Sequence, residues 1–330
     1  MKNFVVSGFR GTVCTVLIFC GMSAALPAAA AYPEKTLRLV VPFPPGGGND
    51  ILARTLGQRL SEVVSQQVVV DNRGGAGGAL GATIAAQANP DGYTIFLGSV
   101  GNLAQTPALK EKLPYHPLRD FAPVALVATS SFILAVHPSV QAKTVQELIA
   151  LAKASPGKLN YASAGAGSSL HMAGELFKYA TATDLLHVPY KGTGPAMADL
   201  ISGRVQLIFS TMPPALPQIK TGKLRALGVT TAKRSPQVPD YPSAQEAGIP
   251  GVDASIWVGL FAPKGTPKEV LAALYKASAD VLTQPDVKKR YGQVGGAETT
   301  TMGSAEFTKR VRADLERYRK VAAQVGIQQQ

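Results

Sequence analysis

An apolar run, a glycine-rich loop and an amphipathic helix follow one another twice before residue 100. That order constrains the fold of this chain more than any other feature. Leu37 to Val41 is the first run. Past a Pro/Gly loop, Ile51, Leu52, Leu56, Leu60 and Val63 recur at helical spacing. Val68 to Val70 is a second run, and another Gly-rich loop leads into a helix marked by Leu80, Ile84 and Ala88. Asn89-Pro90-Asp91-Gly92 is a turn signal, and Tyr93 to Leu97 is a third strand. A β-α-β-α-β order predicts a parallel sheet with right-handed crossovers.

A second α/β unit follows. Phe132 to Val136 reads as a strand, and Thr144 with Glu147 three residues on is a capping box that opens a helix to about Ala154. Pro156-Gly157 stops it. Leu159 to Ala162 is a strand, and a Ser/Gly loop enters a helix near Ser169. Leu185 to Val188, Val205 to Phe209 and Leu224 to Val229 are further strands, and Lys233 to Gly251 is a Pro/Ser-rich surface connection. Trp257 to Ala262 is again strand-like, and helices from about Pro267 to Leu282 and from Ser304 to Val325 close the chain. We read the second unit, 131–252, as inserted into a first unit made of 32–130 and 253–330, with crossings near Thr129 and Val252. A single large sheet is the alternative that chain order leaves open.

Residues 1–31 carry the pattern of a secretory signal peptide. Lys2 and Arg10 form a positive n-region, Val13 to Phe19 a short apolar h-region, and Ala28 to Ala31 a small-residue cleavage site. A retained anchor and a lipidated Cys20 are the competing readings; the first is too short for a stable span. The second lacks a small residue among Leu17, Ile18 and Phe19. Both cysteines, Cys14 and Cys20, fall in this leader, so the mature chain is expected to have no disulfide, thiol nucleophile or thiolate metal site. The formal net charge is +12, and Lys2 and Arg10 are the leader's only charges, which leaves about +10 on the mature chain. That suits an anionic ligand by field focusing. The basic residues are scattered without interleaved aromatics, so nucleic acid is not an expected partner.

Two strand-to-helix loops carry the chemistry. In Pro42-Phe43-Pro44-Pro45-Gly46-Gly47-Gly48-Asn49-Asp50, glycines allow the backbone to approach a ligand, and the following helix presents free N–H groups and partial positive charge. A plain capped turn is the bland reading, with Asp50 as a cap or loop brace. No Lys-Ser or Lys-Thr follows, so this is no phosphate loop, and the later Gly75-Ala76-Gly77-Gly78 run fails the dinucleotide pattern. Tyr161 to Ser169 is a second anion-ready helix start, in the other unit. Ser99 to Asn102, Lys191 to Gly194 and Ser210 to Met212 lie at further strand ends, where parallel sheets bind ligands.

The same residues test an enzyme reading. There is no Gly-x-Ser-x-Gly elbow. Ser168 or Ser169 with His171 would make a secreted hydrolase, although a helix entry does not readily bring residues two or three apart into a nucleophile–base pair. His171 and Glu175 share a helix face and could share a metal, but a third ligand is missing. His116, His137 and His187 read as structural. No metal and no cofactor is expected.

Several blocks together resemble the Bug receptors, the periplasmic solute-binding components of tripartite tricarboxylate transporters. They are Tyr32-Pro33, Leu39 to Gly48, Asp71-Asn72-Arg73 before Gly-Ala-Gly-Gly, Asp91 to Thr94, Leu113-Pro114-Tyr115, His187 to Gly192 and Gly222 to Leu227. They span essentially the whole mature chain in order. The resemblance implies a type II periplasmic-binding-protein fold, with two α/β domains joined by a hinge and the ligand in the cleft. It implies a small carboxylate ligand held by backbone N–H groups and bridging waters, delivery to membrane transporter subunits, and a monomer in the periplasm. Carried over by position, the ligand-binding residues are Phe43, Pro45, Gly46, Gly47, Gly48 and Asn49, with Ser99 and Asn102. The second domain adds Ser163, Ala164, Gly165, Ser168, Ser169, Ser210 and Thr211. Members of the family often carry an acidic residue where this chain has Ser210. Its absence favours a di- or tricarboxylate or an aromatic acid over an amino acid. A sensor that passes ligand occupancy to a signalling partner fits the same residues.

Overall fold

Burial selects the first strand. Leu37, Leu39, Val40 and Val41 are fully enclosed, as a parallel strand covered on both faces requires. The computed structural model describes residues 32–110, 112–249, 252, 254–295 and 297–324, with 1–3 and 8. The expected leader over 1–31 thus lies almost wholly outside the described residues, and one structural unit runs from Tyr32 onward. Strand β1 (Leu37–Val41) lies between β2 (Val68–Asn72) and β3 (Thr94–Ser99), parallel to both. Helices α1 (Gly48–Val64) and α2 (Ala79–Ala86) make the crossovers. A π-helical turn over Gly101–Gln105 leads into the short α3 (Thr106–Leu109).

Strand β4 (Phe121–Val136) organises the rest. After it come α4 (Val145–Ala154), β5 (Asn160–Ser163), α5 (Ser169–Thr181), β6 (Leu186–Pro189) and α6 (Thr193–Ile201). Next are β7 (Leu207–Thr211), α7 (Met212–Lys220), β8 (Arg225–Val229) and β9 (Ser255–Pro263). The chain closes with α8 (Lys268–Thr283), α9 (Pro285–Gly295), β10 (Glu298–Thr299) and α10 (Ser304–Gln324). The strands form one ten-stranded curled sheet in the order β2-β1-β3-β9-β4-β7-β5-β6, with β8 and β10 also on β4.

The sequence reading starts a strand at Phe132, whereas β4 begins at Phe121 and runs for 16 residues. Pro123 and two register shifts, at Pro123/Ala125 and Leu126/Ala128, hide the strand's period. Such bulges also add twist. Residues Phe121 to Ser131 pair with β9, and Phe132 to Val136 pair with β7 and β8. One strand therefore belongs to both groups of elements. Helices α3, α6, α7 and α9 were not expected. In α7 the prolines 213, 214 and 217 disguise the helix; Pro213 and Pro214 sit in the first turn and remove only N–H groups that have no intrahelical partner, whereas Pro217 lies inside the helix and gives up one bond.

Thr230 clasps the place where the chain passes between the two groups. Its hydroxyl donates to Ala254 O at 2.7 Å and accepts the Phe132 N–H at 3.2 Å, all within buried surroundings. Thr230→Val keeps the shape and strands both backbone groups. We expect a loss of about 1–3 kcal/mol, read as a lower urea midpoint with an unchanged slope. An unchanged midpoint would show that the clasp carries no stability.

Behind β9, Trp257, Phe261 and Phe307 stack at 5.1–6.3 Å between ring centroids. Gly259 is obligatory there, because a Cβ would sit 2.3 Å from the Phe307 ring. Trp257 Nε1–H donates to Asp314 at 2.7 Å, which ties α10 to the sheet.

Candidate functional site

Four helices begin around one cavity. From α1 come Gly47, Gly48 and Asn49; from α5, Ser168, Ser169 and Leu170; from α6, Thr193; and from α7, Thr211. Phe43, Ser99, Ala164 and Ile256 complete the wall, and no lining residue is charged at neutral pH. The first N–H groups of a helix have no intrahelical partner, and the helix dipole makes that end positive. Pro213 and Pro214 leave only the Met212 N–H to α7's first turn. Positive potential here comes from backbone, not from Lys or Arg.

Local sequence builds each start. Gly46 takes φ +85°, a left-handed turn that glycine adopts freely, and its N–H donates to Asp50 Oδ2 at 3.0 Å. Asp50 also accepts from Arg54 at 3.0 Å and, through Oδ1, from Asn72 Nδ2 at 3.0 Å. Asp50 is thus the loop brace and not a wall residue. At α5, Ser168 Oγ accepts the His171 N–H, and His171 Nδ1 accepts the Gly167 N–H at 3.2 Å. This is a variant of the capping box in which the returning group is an imidazole and takes the N–H of the residue before the cap. The expected box at α4 forms in the same way: Thr144 Oγ1 accepts the Glu147 N–H, while Glu147 reaches back to Lys143 N–H.

Two donors in the wall are left over. Asn49 Nδ2 and Thr211 Oγ1 are buried and have no hydrogen-bond partner. Buried polar atoms are nearly always paired, so such a pair of orphans in one cavity marks a place for a polar guest. The starts of α1 and α7 touch: a Cβ on Gly48 would lie 2.5 Å from Thr211 Oγ1. Beyond that contact lies a second, small cavity, lined largely by apolar groups including Leu52, Ala128, Pro213 and Val258.

Of the residues named from the sequence, Phe43, Gly47, Gly48, Asn49, Ser99, Ala164, Ser168, Ser169 and Thr211 meet at this cavity. The others stand behind it. Pro45 and Gly46 are exposed at the loop's outer bend. Asn102 accepts the Ser99 N–H at 3.0 Å and so shapes the end of β3. Ser163 accepts the Gly165 N–H at 3.1 Å, and Ser210 Oγ donates to Thr211 O at 2.8 Å. Leu170, Thr193 and Ile256 were missed. Thr193 lay inside a flagged strand-end loop, but Leu170 and Ile256 are plain apolar residues with no local signal.

The serine–histidine and metal readings find other uses for their residues. The His171 imidazole is engaged with Gly167 and stacks on His187 at 4.1 Å, while the Ser168 hydroxyl serves as helix cap. Glu175 accepts from Tyr161 OH at 2.6 Å and from Lys178 Nζ at 3.0 Å. No group of three metal-ligating side chains occurs among the described residues. Burial holds the His171 imidazole below its ordinary pKa, and burial with the neighbouring His171 pushes His187 down to about 4. Burial raises the Tyr161 hydroxyl, and Glu175 adds to it.

A curled α/β sheet with helix starts converging on an uncharged, donor-lined cavity is the architecture of a solute-binding protein. The chain belongs to the tripartite tricarboxylate transporter receptor family: the family model (TctC), described as "Tripartite tricarboxylate transporter family receptor", matches residues 52–327. It is 40% identical over 293 residues to the "UPF0065 protein in tcbD-tcbE intergenic region" of Pseudomonas sp. strain P51, which covers 88% of this chain and 86% of that one. It is 35% identical to BugT of Bordetella pertussis, over 92% of this chain and 93% of the relative. Among solved structures, Rpa4515 of R. palustris with adipate superposes with TM-score 0.87 at 36% identity, covering 89% of this chain and 98% of that one. The periplasmic binding protein BugD gives 0.87 at 35%, over 91% and 100%. MatC of Rhodopseudomonas palustris with bound malate gives 0.84 at 34%, over 88% and 99%.

Proposed function

We propose that this receptor captures a small carboxylate in the periplasm and delivers it to the membrane subunits of a tripartite tricarboxylate-type transporter. The observation that carries the reading is the cavity itself, with four helix starts and two unpartnered donors and no charged side chain. One helix start contributes about 0.3–1 kcal/mol toward an anion. Several together, with hydroxyl and amide donors, support micromolar binding, about −8 kcal/mol. The adipate and malate held by the two relatives support the carboxylate class. A ligand ammonium would meet no Asp or Glu in the wall, and Ser210 stands committed to its neighbour's carbonyl. A di- or tricarboxylate or an aromatic acid therefore fits better than an amino acid, and the second, largely apolar cavity favours a hydrocarbon body. In this reading 131–252 closes on 32–130 with 253–330 about the crossing in β4, as a monomer without metal or cofactor.

The test is a thermal-shift panel on mature protein, refolded to strip any carried ligand. It spans mono-, di- and tricarboxylates, aromatic acids, acidic amino acids and neutral amides. A ligand at about 100 times its Kd adds about 2.7 kcal/mol, which moves the midpoint by several degrees. Shifts confined to carboxylates are expected. Shifts by the neutral amides alone, or by none of the panel, would reject the reading, and aspartate binding as tightly as the best simple carboxylate would reject its finer part.

A further inference from the structure

We propose that His171 and His187 are positioning residues that hold the β5–α5 ligand loop only while both imidazoles are neutral, so that acid releases the ligand. The proposal rests on the reading above that this loop, Ser163 to Ser168, is part of the binding wall. Neither imidazole lines the cavity; both stand behind it. His187 Nε2 lies 2.6 Å from Ser163 Oγ, at the loop's first residue. His171 Nδ1 accepts the Gly167 N–H at 3.2 Å, at its far end. The two rings stack at 4.1 Å and 24°, and His187 stacks in turn on Tyr161 at 4.9 Å. Two side chains in face-to-face contact thus fix the two ends of one loop.

Protonation breaks this arrangement for a simple reason. A nitrogen that accepts an N–H cannot also carry a proton. Protonating His171 at Nδ1 sets donor against donor at Gly167 and frees the end of the loop beside Ser168. Protonating His187 leaves its bond to Ser163 possible but places a cation 4.1 Å from the second ring. The groups that face the pair are Glu175 and Lys178 on α5 and Tyr161 on β5. Glu175 attracts an imidazolium and offsets part of this, but burial outweighs it, and Tyr161 and Lys178 already bond its carboxylate. The positive start of α5 adds to the penalty, since His171 sits in its first turn. Both imidazoles lie below their ordinary pKa through burial first, in keeping with neutral rings at pH 7. The sign follows: with both values depressed, the stability that the neutral rings give the loop is full above about pH 6.5 and is lost progressively as pH falls toward the folded values, about 4 for His187.

Two measurements test this. The first needs no ligand. The imidazole 15N resonances should show His171 Nδ1 without a proton at pH 7, and the Gly167 amide should move together with the His171 titration. A proton on Nδ1 at pH 7, or a Gly167 amide that ignores the titration, overturns the proposal. The second follows the Kd of the carboxylate giving the largest thermal shift, from pH 8 to 4.5, in wild type, His171→Ala and His171→Asn. Asparagine offers Oδ1 near the position of Nδ1 and does not titrate. Wild type should lose affinity as pH falls from about 6.5 toward 4.5, with a limiting slope of about tenfold per pH unit for each linked proton. The alanine variant should be weak throughout, and asparagine should recover most of that loss with a flatter profile. The ligand's own titration is common to all three and cancels. An asparagine variant as steep as wild type, or an alanine variant as tight, rejects the proposal while leaving the carboxylate reading intact. A flat ligand panel rejects that reading, and the amide titration still judges the histidine pair.

Discussion

Gly48→Ala is expected to cripple ligand binding while leaving the protein folded. The added Cβ would stand 2.5 Å from Thr211 Oγ1 and 3.1 Å from Thr211 Cβ, and the latter cannot swing aside. Overpacking of this kind costs about 1–3 kcal/mol. Here the strain exists only while the starts of α1 and α7 touch, so the protein can avoid it by parting them. The cost then falls on the ligand-bound form, roughly a five- to hundredfold rise in Kd at about 1.4 kcal/mol per decade. Calorimetric titration of the best carboxylate measures it, with small-angle scattering to ask whether the variant stays expanded in saturating ligand. Adding Thr211→Ala removes Oγ1 and Cγ2 and should relieve part of the strain, a coupling that a double-mutant cycle isolates. Wild-type affinity in Gly48→Ala would show that the contact is not required for binding.

Thr211→Val and Asn49→Leu should move stability and binding in opposite directions. Thr211 Oγ1 and Asn49 Nδ2 are buried without partners, and such a group costs about 1–3 kcal/mol. Valine keeps threonine's shape without the hydroxyl, and leucine replaces the amide with apolar bulk. The ligand-free variants are expected to melt about 1.5 °C above wild type for each kcal/mol relieved, in line with about 1–3 kcal/mol per site. A carboxylate would lose the donor that each supplies, and charge-assisted hydrogen bonds are worth about 1.5–3 kcal/mol. Affinity should drop about ten- to a hundredfold per site. Opposite signs in the two assays are the mark of donors kept unpaired for a ligand. A variant that is less stable and still binds normally would assign these atoms a structural role.

Much of the architecture was legible because it is local. Leu52, Leu56 and Leu60 recur at helical spacing and are the buried face of α1. Thr144 with Glu147 named the start of α4 from four residues. The elements that escaped notice are those whose local signals mislead. Pro123 and the two register shifts mask the first eleven residues of β4, and three prolines mask α7. Both make sense only once pairing partners are known, since a bulge needs a neighbouring strand and a proline-rich first turn needs no donors.

For the site, chain order supplied the materials: glycine loops ahead of helices, hydroxyls at strand ends, and no cysteine beyond residue 20. Backbone N–H groups at helix starts follow from chain order, so their chemistry can be read along the chain. Tertiary structure alone decided which of these starts converge. It brought α6 and α7 to the same cavity as α1 and α5, and placed Ile256, from a strand about 200 residues away, in its wall. It also decided which donors stay unpaired, because Asn49 Nδ2 and Thr211 Oγ1 are orphans only with respect to everything packed around them. His171 and Glu175, four apart in sequence, have the spacing of a metal pair without a third ligand; the fold gave the imidazole to Gly167 and the carboxylate to Tyr161 and Lys178. A hydrogen-bond partner is a property of three-dimensional neighbours, and sequence spacing reports only those on the same turn.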